Sequence, residues 1–170
     1  MILAVDVHYE ETEAMAAGVL FSAWDACEPA AMLLTRLSGV ADYEPGYFYR
    51  RELPCVLALL AQVDPLPHTI VIDGYVYLGS EQQPGLGKHL YDALNGRIPI
   101  IGVAKTYYKG TPAATELCRG RSQRPLYVTA VGVEQTAAKQ AIRQMCGSAR
   151  LPDLLKRVDQ LCRGKIPLRQ

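Results

Sequence analysis

Two carboxylates are embedded in apolar runs that otherwise have the character of buried β-strands. Asp6 lies within the run 2–9, which contains several β-branched residues, and Asp73 ends the run 68–73, just before Gly74. An unpaired buried carboxylate is costly, so such a pair requires a cation, a hydrogen-bond network or protonation. A hard divalent cation such as Mg²⁺ is a common partner, and the pattern predicts a metal site. The alternative is that each aspartate only ends its strand and caps the next segment.

A third acidic residue, Glu52, closes a segment that contains a turn. Residues 42–52 read Asp-Tyr-Glu-Pro-Gly-Tyr-Phe-Tyr-Arg-Arg-Glu. This segment resembles the endonuclease V signature, in which a Tyr-Xaa-Pro-Gly turn leads into a helix carrying an Arg-Glu pair. Five further segments resemble the same family in the same order: 6–9 its first catalytic strand, 73–74 its third acidic motif, 85–90 the helix that follows, 101–105 its lysine-bearing strand, and 150–159 its C-terminal Arg-Leu-Pro helix with a terminal Asp.

Two segments depart from the family pattern. After the third acid the family usually has a glycine and then His-Pro-Arg, whereas residues 75–81 read Tyr-Val-Tyr-Leu-Gly-Ser-Glu. The family's Ser-Pro-Gly-His segment is replaced at 128–133 by Val-Thr-Ala-Val-Gly-Val. These differences bear on substrate choice more than on the fold, because the acidic residues and the turn at Tyr43 are present.

The resemblance implies a chemistry and a role for each matching residue. It implies hydrolysis of a phosphodiester bond 3′ to inosine in DNA or RNA, dependent on Mg²⁺, for which Mn²⁺ could substitute. Asp6 and Asp73 would hold the metal, Glu52 would complete the ligands, and Asp159 would orient or deprotonate the attacking water. Lys105 would neutralise a phosphate near the scissile bond. Taken alone, Glu52 could instead be an exposed first-turn acid and Lys105 a surface lysine at a strand end.

Recognition of the base is expected to be separate from cleavage, because a metal site contacts phosphate and not base. In the family, a Tyr-Xaa-Pro-Gly loop wedges into nucleic acid beside a displaced hypoxanthine base. Tyr43 matches the wedge, and Pro45 and Gly46 form its turn; Tyr43 could also be a half-buried turn residue. Gly85 and Gly87 would let the backbone approach the displaced base or its phosphate.

Length and pattern predict one domain over residues 1–170, with an α/β, ribonuclease H-like fold and a mixed central sheet covered by helices on both faces. The ribonuclease H-like class is what the resemblance implies. The predicted elements are strand 1–8, strand 14–24, helix 46–62, strand 68–77, helix 85–95, strand 98–105, strand 125–133, helix 134–146 and helix 151–163.

Charge is distributed unevenly along the chain although the formal net charge is only +1. Residues 119–170 contain 11 Lys and Arg against 3 acids, and residues 1–118 contain 7 against 14. Such asymmetry suits a nucleic-acid enzyme in which acids gather metal and basic residues meet phosphates. Arg119, Arg121 and Arg124 form the densest basic group, and they are either phosphate contacts or ordinary surface charges.

The remaining features suggest a protein without a membrane or obligate protein partner. No apolar run approaches the length of a membrane span, and no basic leader precedes the first strand, so a cytoplasmic location is expected. Five cysteines, widely spaced and never in a Cys-Xaa-Xaa-Cys pattern, are predicted to be reduced. His8, two residues past Asp6, would share its face and could approach the site.

Two functional hypotheses arise from these patterns. The first is a magnesium-dependent endonuclease acting on nucleic acid that contains inosine, which the four acids favour. The second is a divergent, catalytically weak relative that only binds nucleic acid, which the altered segments at 75–81 and 128–133 keep open.

Overall fold

A computed structural model describes residues 1–40, 42 and 44–168. The strands are β1 (Ile2–Glu10), β2 (Glu13–Phe21), β3 (Ala31–Ser38), β4 (Thr69–Asp73), β5 (Tyr77–Leu78), β6 (Gln83–Pro84), β7 (Ile100–Ala104), β8 (Glu116–Leu117) and β9 (Leu126–Val131). The α-helices are α1 (Tyr49–Leu60), α2 (Leu86–Ala93), α3 (Gln135–Gln144) and α4 (Asp153–Cys162), and a 3-10 helix covers Ala113–Thr115.

Seven strands form one mixed sheet in the order β3-β2-β1-β4-β7-β9-β8. Strands β1 and β2 form an antiparallel hairpin, closed by the pair Glu10 and Glu13. At the centre, β1, β4 and β7 run parallel to one another, with Val5 opposite Ile72 and Asp73 opposite Val103. Parallel strands bring their carboxyl ends to the same edge, and this edge carries the predicted acids.

Alternation along the strands divides the core into two layers. Ile2 and Ala4 of β1 face one layer, which contains the buried residues of α3 and α4. Leu3 and Val5 face the other, which contains the buried residues of α1 and α2. Each strand side chain points to the opposite face from its neighbour, so both faces of the sheet are apolar and helices cover both. This confirms the predicted mixed sheet with two covered faces.

The predicted elements are present but mostly shorter, and three strands were not predicted. The run at 68–77 ends as a strand at Asp73, and Tyr77–Leu78 belongs to a separate two-stranded ribbon with β6. The unpredicted strands are the two-residue β6 and β8 and the longer β3, which pairs antiparallel with β2 at the edge of the sheet. Its residues are exposed or half-buried throughout, so it lacks the buried apolar pattern that marks the central strands.

Two sequence-based predictions are corrected by the long-range contacts. The cysteines are not all reduced: Cys27, in the loop after β2, is disulfide-bonded to Cys146, just past α3. Cys55, Cys118 and Cys162 are free, as predicted. Because 119 positions separate the bonded pair, their spacing in sequence carries no signal of the bond.

Arg119 is not a surface residue available to phosphate. It is 6% exposed, and its guanidinium donates hydrogen bonds to the carbonyl oxygens of Met145, Gly147, Ala149 and Arg150. Arg119 therefore holds together the segment between α3 and α4, which carries backbone carbonyls that no helix satisfies. The helices of the described part are too short or too polar for any of them to span a lipid bilayer.

Candidate metal centre

The acids predicted from the two apolar runs lie at one edge of the sheet, on the face covered by α4. Asp6 lies two residues past Ala4, and Asp73 two residues past Val71, both of which point into the α4 layer. Lys105 follows β7 and is two residues past Val103, so it shares that face. The parallel arrangement of β1, β4 and β7 thus converts three distant sequence positions into neighbours.

Helix α4 contributes the third carboxylate of this group. Asp159 lies on the side of α4 that faces the sheet, together with Leu155 and Cys162, because helix residues three or four positions apart share one face. One carboxylate oxygen from each of Asp6, Asp73 and Asp159 lies within 4.8 Å of the others. Within the described residues this is a group of three acids with the spacing required to share one cation. Neither Glu52 nor His8 is part of it.

The positive charge next to these acids comes from the chain itself. The Lys105 ammonium lies 2.7 Å from Asp73 Oδ2 and 3.5 Å from Asp159 Oδ1. Arg163, one turn further along α4, places Nε 3.0 Å from the same Asp159 oxygen. The Val7 amide donates a hydrogen bond of 2.8 Å to Asp6. Asp73 and Asp159 therefore each have a cationic side chain within 4 Å, whereas the hydrogen-bond partners of the Asp6 carboxylate are the Val7 amide and the Cys162 thiol.

The pKa values of the three aspartates reflect both burial and the nearby cationic side chains. Burial, and then the charge of Asp73, raise the pKa of Asp6 to about 7. Burial also raises the pKa of Asp73, although Lys105 opposes it. Burial acts in the same direction on Asp159, but Arg163 and Lys105 outweigh it and hold the pKa of Asp159 below its ordinary value. Asp6 and Asp73 therefore resist ionisation, and a cation bound beside them would stabilise their charged forms.

Glu52 lies on α1, on the opposite face of the sheet from α4. It is 7% exposed, and burial followed by the charges of Asp6 and Asp73 raises its pKa to about 9. The alternative of an exposed first-turn acid is therefore wrong. Its carboxylate is close enough to the site to be affected by Asp6 and Asp73, but it does not converge with them as Asp159 does. The structure thus brings Asp6, Asp73 and Asp159 together, and the role of Glu52 as an outer metal ligand stays a prediction.

Several neighbours of the site escaped the sequence analysis. The guanidinium of Arg150 donates to the carbonyl oxygens of Lys105, Arg124 and Pro125, and so ties the start of the α4 segment to the end of β7. The Arg51 guanidinium lies 3.8 Å from the centre of the Tyr9 ring, beside Glu52 in the sequence. An arginine that donates to backbone carbonyls has no local sequence signature, and Arg150 was noted only as part of a motif.

The space between the acids is small. A cavity of about 20 Å³ is lined by Asp6, Asp73 and Lys105 and by apolar side chains of the three parallel strands and the α4 segment. A single water molecule needs roughly 10–15 Å³ of cavity volume measured in this way. The cavity therefore has room for one small ion or one water molecule and is too small for a nucleobase. The ligand atoms available are carboxylate oxygens, which suit a hard cation.

Comparison with known proteins identifies the family of this chain. A family model described as Endonuclease V matches residues 1–133. The chain belongs to the endonuclease V family. An endonuclease V from Streptomyces coelicolor is 32% identical to it over 189 residues, which cover 97% of this chain and 78% of that protein.

Crystal structures of endonuclease V proteins show the same fold. The enzyme from Streptomyces avermitilis is 29% identical with a TM-score of 0.74, over 96% of this chain and 80% of that one. The protein from Ciona intestinalis, solved in complex with a 24mer DNA containing an inosine followed by a ribo-adenosine, is 20% identical with a TM-score of 0.76, over 96% of this chain and 84% of that one. These matches confirm the predicted ribonuclease H-like fold.

The turn that precedes α1 corresponds to the signature segment of the endonuclease V family. Pro45 and Gly46 are exposed, and Gly46 has a φ of +82°, a conformation that favours glycine. Glu44 is not an isolated acid, because it forms an ion pair of 3.1 Å with Arg50. Tyr43, the predicted wedge, lies outside the described residues.

The predicted ligand-binding glycines have a packing role in this structure. A Cβ at Gly85 would lie 2.6 Å from the Tyr75 carbonyl oxygen, and one at Gly87 would lie 2.6 Å from the Val76 side chain. These glycines, at the start of α2, thus allow the helix to approach the segment after Asp73. Contact with nucleic acid stays a prediction for both.

Proposed function

We propose that this protein is a magnesium-dependent endonuclease that hydrolyses the phosphodiester bond 3′ to inosine in DNA or RNA. The observation that carries this proposal is the convergence of Asp6, Asp73 and Asp159 beside Lys105 in a chain of the endonuclease V family. Two carboxylates and an ammonium from the parallel strands, with a third carboxylate from α4, match what phosphodiester hydrolysis with a metal ion requires. Nucleic acid is the expected partner.

The donor set fits a hard divalent cation. Carboxylate oxygens, a cavity for one small ion and acids with raised pKa values favour Mg²⁺, with Mn²⁺ as a substitute. Asp6, Asp73 and Asp159 would hold the cation, and Glu52 would act from the opposite face as an outer ligand or hydrogen-bond partner. When bound, Mg²⁺ supplies positive charge that stabilises the entering and leaving oxygens of the displacement.

The remaining steps of the proposed reaction involve Asp159, Lys105 and Arg150. Asp159, held by Arg163 and kept ionised, is placed to orient or deprotonate the attacking water. Lys105 would move its ammonium from Asp73 towards the incoming phosphate and neutralise it. Arg150 would hold the backbone of Lys105 in place during this exchange.

Base recognition would come from the signature turn. The Ciona intestinalis relative binds DNA containing inosine, which supports the same substrate for this chain. Tyr43 would occupy the gap left by a displaced base, on the turn of Pro45 and Gly46, and Gly85 and Gly87 would border the base. The pair of Glu44 with Arg50 reduces the repulsion that a free acid at this position would exert on phosphates.

The test is cleavage of matched inosine and unmodified oligonucleotides, as both DNA and RNA, with Mg²⁺, with Mn²⁺ and with EDTA. We expect cleavage of the inosine strands alone, and only with a divalent cation. Binding of inosine strands without cleavage under any of these conditions would contradict the proposal and favour the weak, binding-only relative. A cytoplasmic location stays a prediction, and the bonded Cys27 and Cys146 are unusual for a reducing compartment.

A further inference from the structure

Four tyrosines form a contiguous aromatic patch beside the metal centre. We define the tyrosine patch as Tyr75, Tyr107, Tyr108 and Tyr127. The Tyr75 ring centre lies 6.2 Å from that of Tyr108 and 6.4 Å from that of Tyr127. Tyr107 lies 5.8 Å from Tyr127. The rings of Tyr107 and Tyr108 are inclined by about 60° to these neighbours and are therefore not stacked upon them.

The patch adjoins the residues that hold the metal and the phosphate. Tyr75 follows Asp73 by two positions, and Tyr107 follows Lys105 by two. The Tyr75 hydroxyl donates a hydrogen bond of 2.8 Å to the Thr106 carbonyl oxygen, directly after Lys105. A strand whose phosphate reaches Lys105 therefore passes the patch with its neighbouring nucleotides.

The two outer rings are exposed but held in place. Tyr107 is 56% exposed and Tyr108 is 44% exposed. The Tyr108 amide donates a hydrogen bond of 3.2 Å to the Tyr75 hydroxyl, and the Gly110 amide donates one of 3.1 Å to the Tyr107 hydroxyl. The ring of Tyr107 is thus held through its hydroxyl and the backbone of Tyr108 through its amide, which reduces the conformational entropy lost when a ligand stacks here.

Packing within the protein does not account for the exposed rings of Tyr107 and Tyr108. Both core clusters, as the described part of the chain defines them, leave these two rings out, whereas Tyr127 is itself buried and Tyr75 half-buried. Large exposed apolar side chains are infrequent in this structure, and two of them are adjacent here, next to the acids and Lys105. An exposed aromatic platform beside a phosphate-binding cation is the arrangement by which proteins bind unpaired nucleotides without reading their sequence.

We propose that the tyrosine patch binds the unpaired bases that adjoin the scissile phosphate, by stacking them on Tyr107 and Tyr108. This inference rests on the proposed function, because it takes the strand at Lys105 to be nucleic acid. The patch contributes affinity for a single strand of any sequence. It is separate from the turn around residues 44–46, to which we assign recognition of inosine.

Binding of single-stranded oligonucleotides in EDTA, at one fixed salt concentration, tests the patch without cleavage. Tyr107→Ala and Tyr108→Ala should each weaken binding roughly 5- to 150-fold, the usual worth of one stacked base, on inosine and unmodified strands alike. Tyr107→Phe and Tyr107→Trp keep a ring and should retain binding within about twofold of the native protein. The control is Leu66→Ala, because Leu66 is 50% exposed and lies outside both sites.

Oligonucleotides with abasic positions complete the test. If the rings stack on bases, removing the bases at the contacted positions should abolish the difference between Tyr107→Ala and the native protein. An equal loss on fully abasic strands, or no loss on any strand while circular dichroism shows an intact fold, would overturn the proposal. Failure to cleave inosine strands, with the tyrosine-dependent binding intact, would instead refute the proposed function and leave the single-strand surface standing.

Discussion

The ammonium of Lys105 lies 2.7 Å from the carboxylate of Asp73, and so a side chain of the protein neutralises part of the acidic cluster. Asp159 shares the same ammonium at 3.5 Å. A divalent cation bound by these acids would compete with Lys105 for their charge. Under the proposed function, binding of Lys105 to the acids and binding of Lys105 to phosphate would therefore be alternatives, and a bound metal would favour binding to phosphate.

Replacement of Lys105 should separate these two roles. We expect Lys105→Met to lower the thermal midpoint in EDTA, because the acids lose their cationic partner, and to lower the Mg²⁺ concentration needed for stabilisation. Cleavage should fall about 100-fold, because a phosphate loses its neutralising charge. Thermal melts with increasing Mg²⁺ and single-turnover cleavage check both effects. The matched control is Lys156→Met, an exposed lysine on α4; unchanged Mg²⁺ dependence in Lys105→Met would contradict the competition.

The two aspartates on the parallel strands should differ in their effect on stability. Asp6→Asn and Asp73→Asn should each reduce Mg²⁺-dependent cleavage by at least about 100-fold, equivalent to about 2.7 kcal/mol. In EDTA, Asp6→Asn should raise the thermal midpoint, because it removes a buried charge whose pKa burial and Asp73 have raised. Asp73→Asn should raise it less, because Lys105 then loses its nearest partner. Near-native cleavage by either variant would refute the assignment of the metal ligands.

The pH dependence of stability should identify Glu52. Its pKa is raised from 4.5 to about 9 in the folded protein, so the unfolded chain releases this proton first as the pH rises. Folded Glu52 therefore binds more protons than the unfolded state over that range, and its contribution to stability falls from pH 4.5 towards pH 9. In EDTA, Glu52→Gln should reduce the decline in thermal midpoint with pH, whereas Glu81→Gln, an exposed control, should leave it unchanged. Equal slopes in all three proteins would show that Glu52 is not protonated in the folded state.

Arg119 should matter for stability and not for phosphate binding. Arg119→Met would leave several carbonyl oxygens between α3 and α4 without a donor. We expect the free energy of unfolding to fall by at least about 2 kcal/mol, since an unpaired buried polar group costs about 1–3 kcal/mol. Denaturant unfolding measures this, with Arg121→Met as the exposed control. A normal stability for Arg119→Met, combined with weaker binding to DNA, would restore the interpretation as a phosphate contact.

Tyr43 should act on the base and not on the metal. Tyr43→Ala should weaken binding to inosine strands by about 1–3 kcal/mol, and Tyr43→Phe should retain most of the affinity. Titrations of inosine and unmodified strands at one salt concentration separate this from general attraction to phosphate. Equal losses on both strands would assign inosine recognition to other residues.

The sequence predicts those parts of the site that strand order determines. Asp6 follows the last residue of β1 that pairs with β4, Asp73 ends β4 and Lys105 follows β7, so parallel pairing brings the three together. Helical spacing puts Asp159 on the side of α4 that carries the buried Leu155 and Cys162. The role of Glu52 as a ligand stays a prediction, because a motif does not tell on which face of the sheet its helix packs.

Contacts between distant segments could not be predicted in the same way. The hydrogen bonds of Arg119 and the bond between Cys27 and Cys146 depend on how the α3–α4 region folds back on the molecule. The sequence of the edge strand β3 lacks the apolar alternation that indicates a strand, because neither face of this strand is fully buried. Local periodicity in a sequence indicates which side chains are buried. The hydrogen bonds of Arg119, the disulfide bond and strand β3 depend instead on tertiary contacts that leave no such periodicity.

The position of α4 has a consequence for the order of events during synthesis. Position 159 meets position 6 only after α4 has docked on β1 and β2, which leave the ribosome long before it. A nascent chain that lacks α4 carries two of the three converging carboxylates and cannot assemble the centre. If the three acids hold the metal as proposed, the complete metal site forms only in a chain whose α4 has been made and docked, and the proposed cleavage cannot begin before translation has passed this helix.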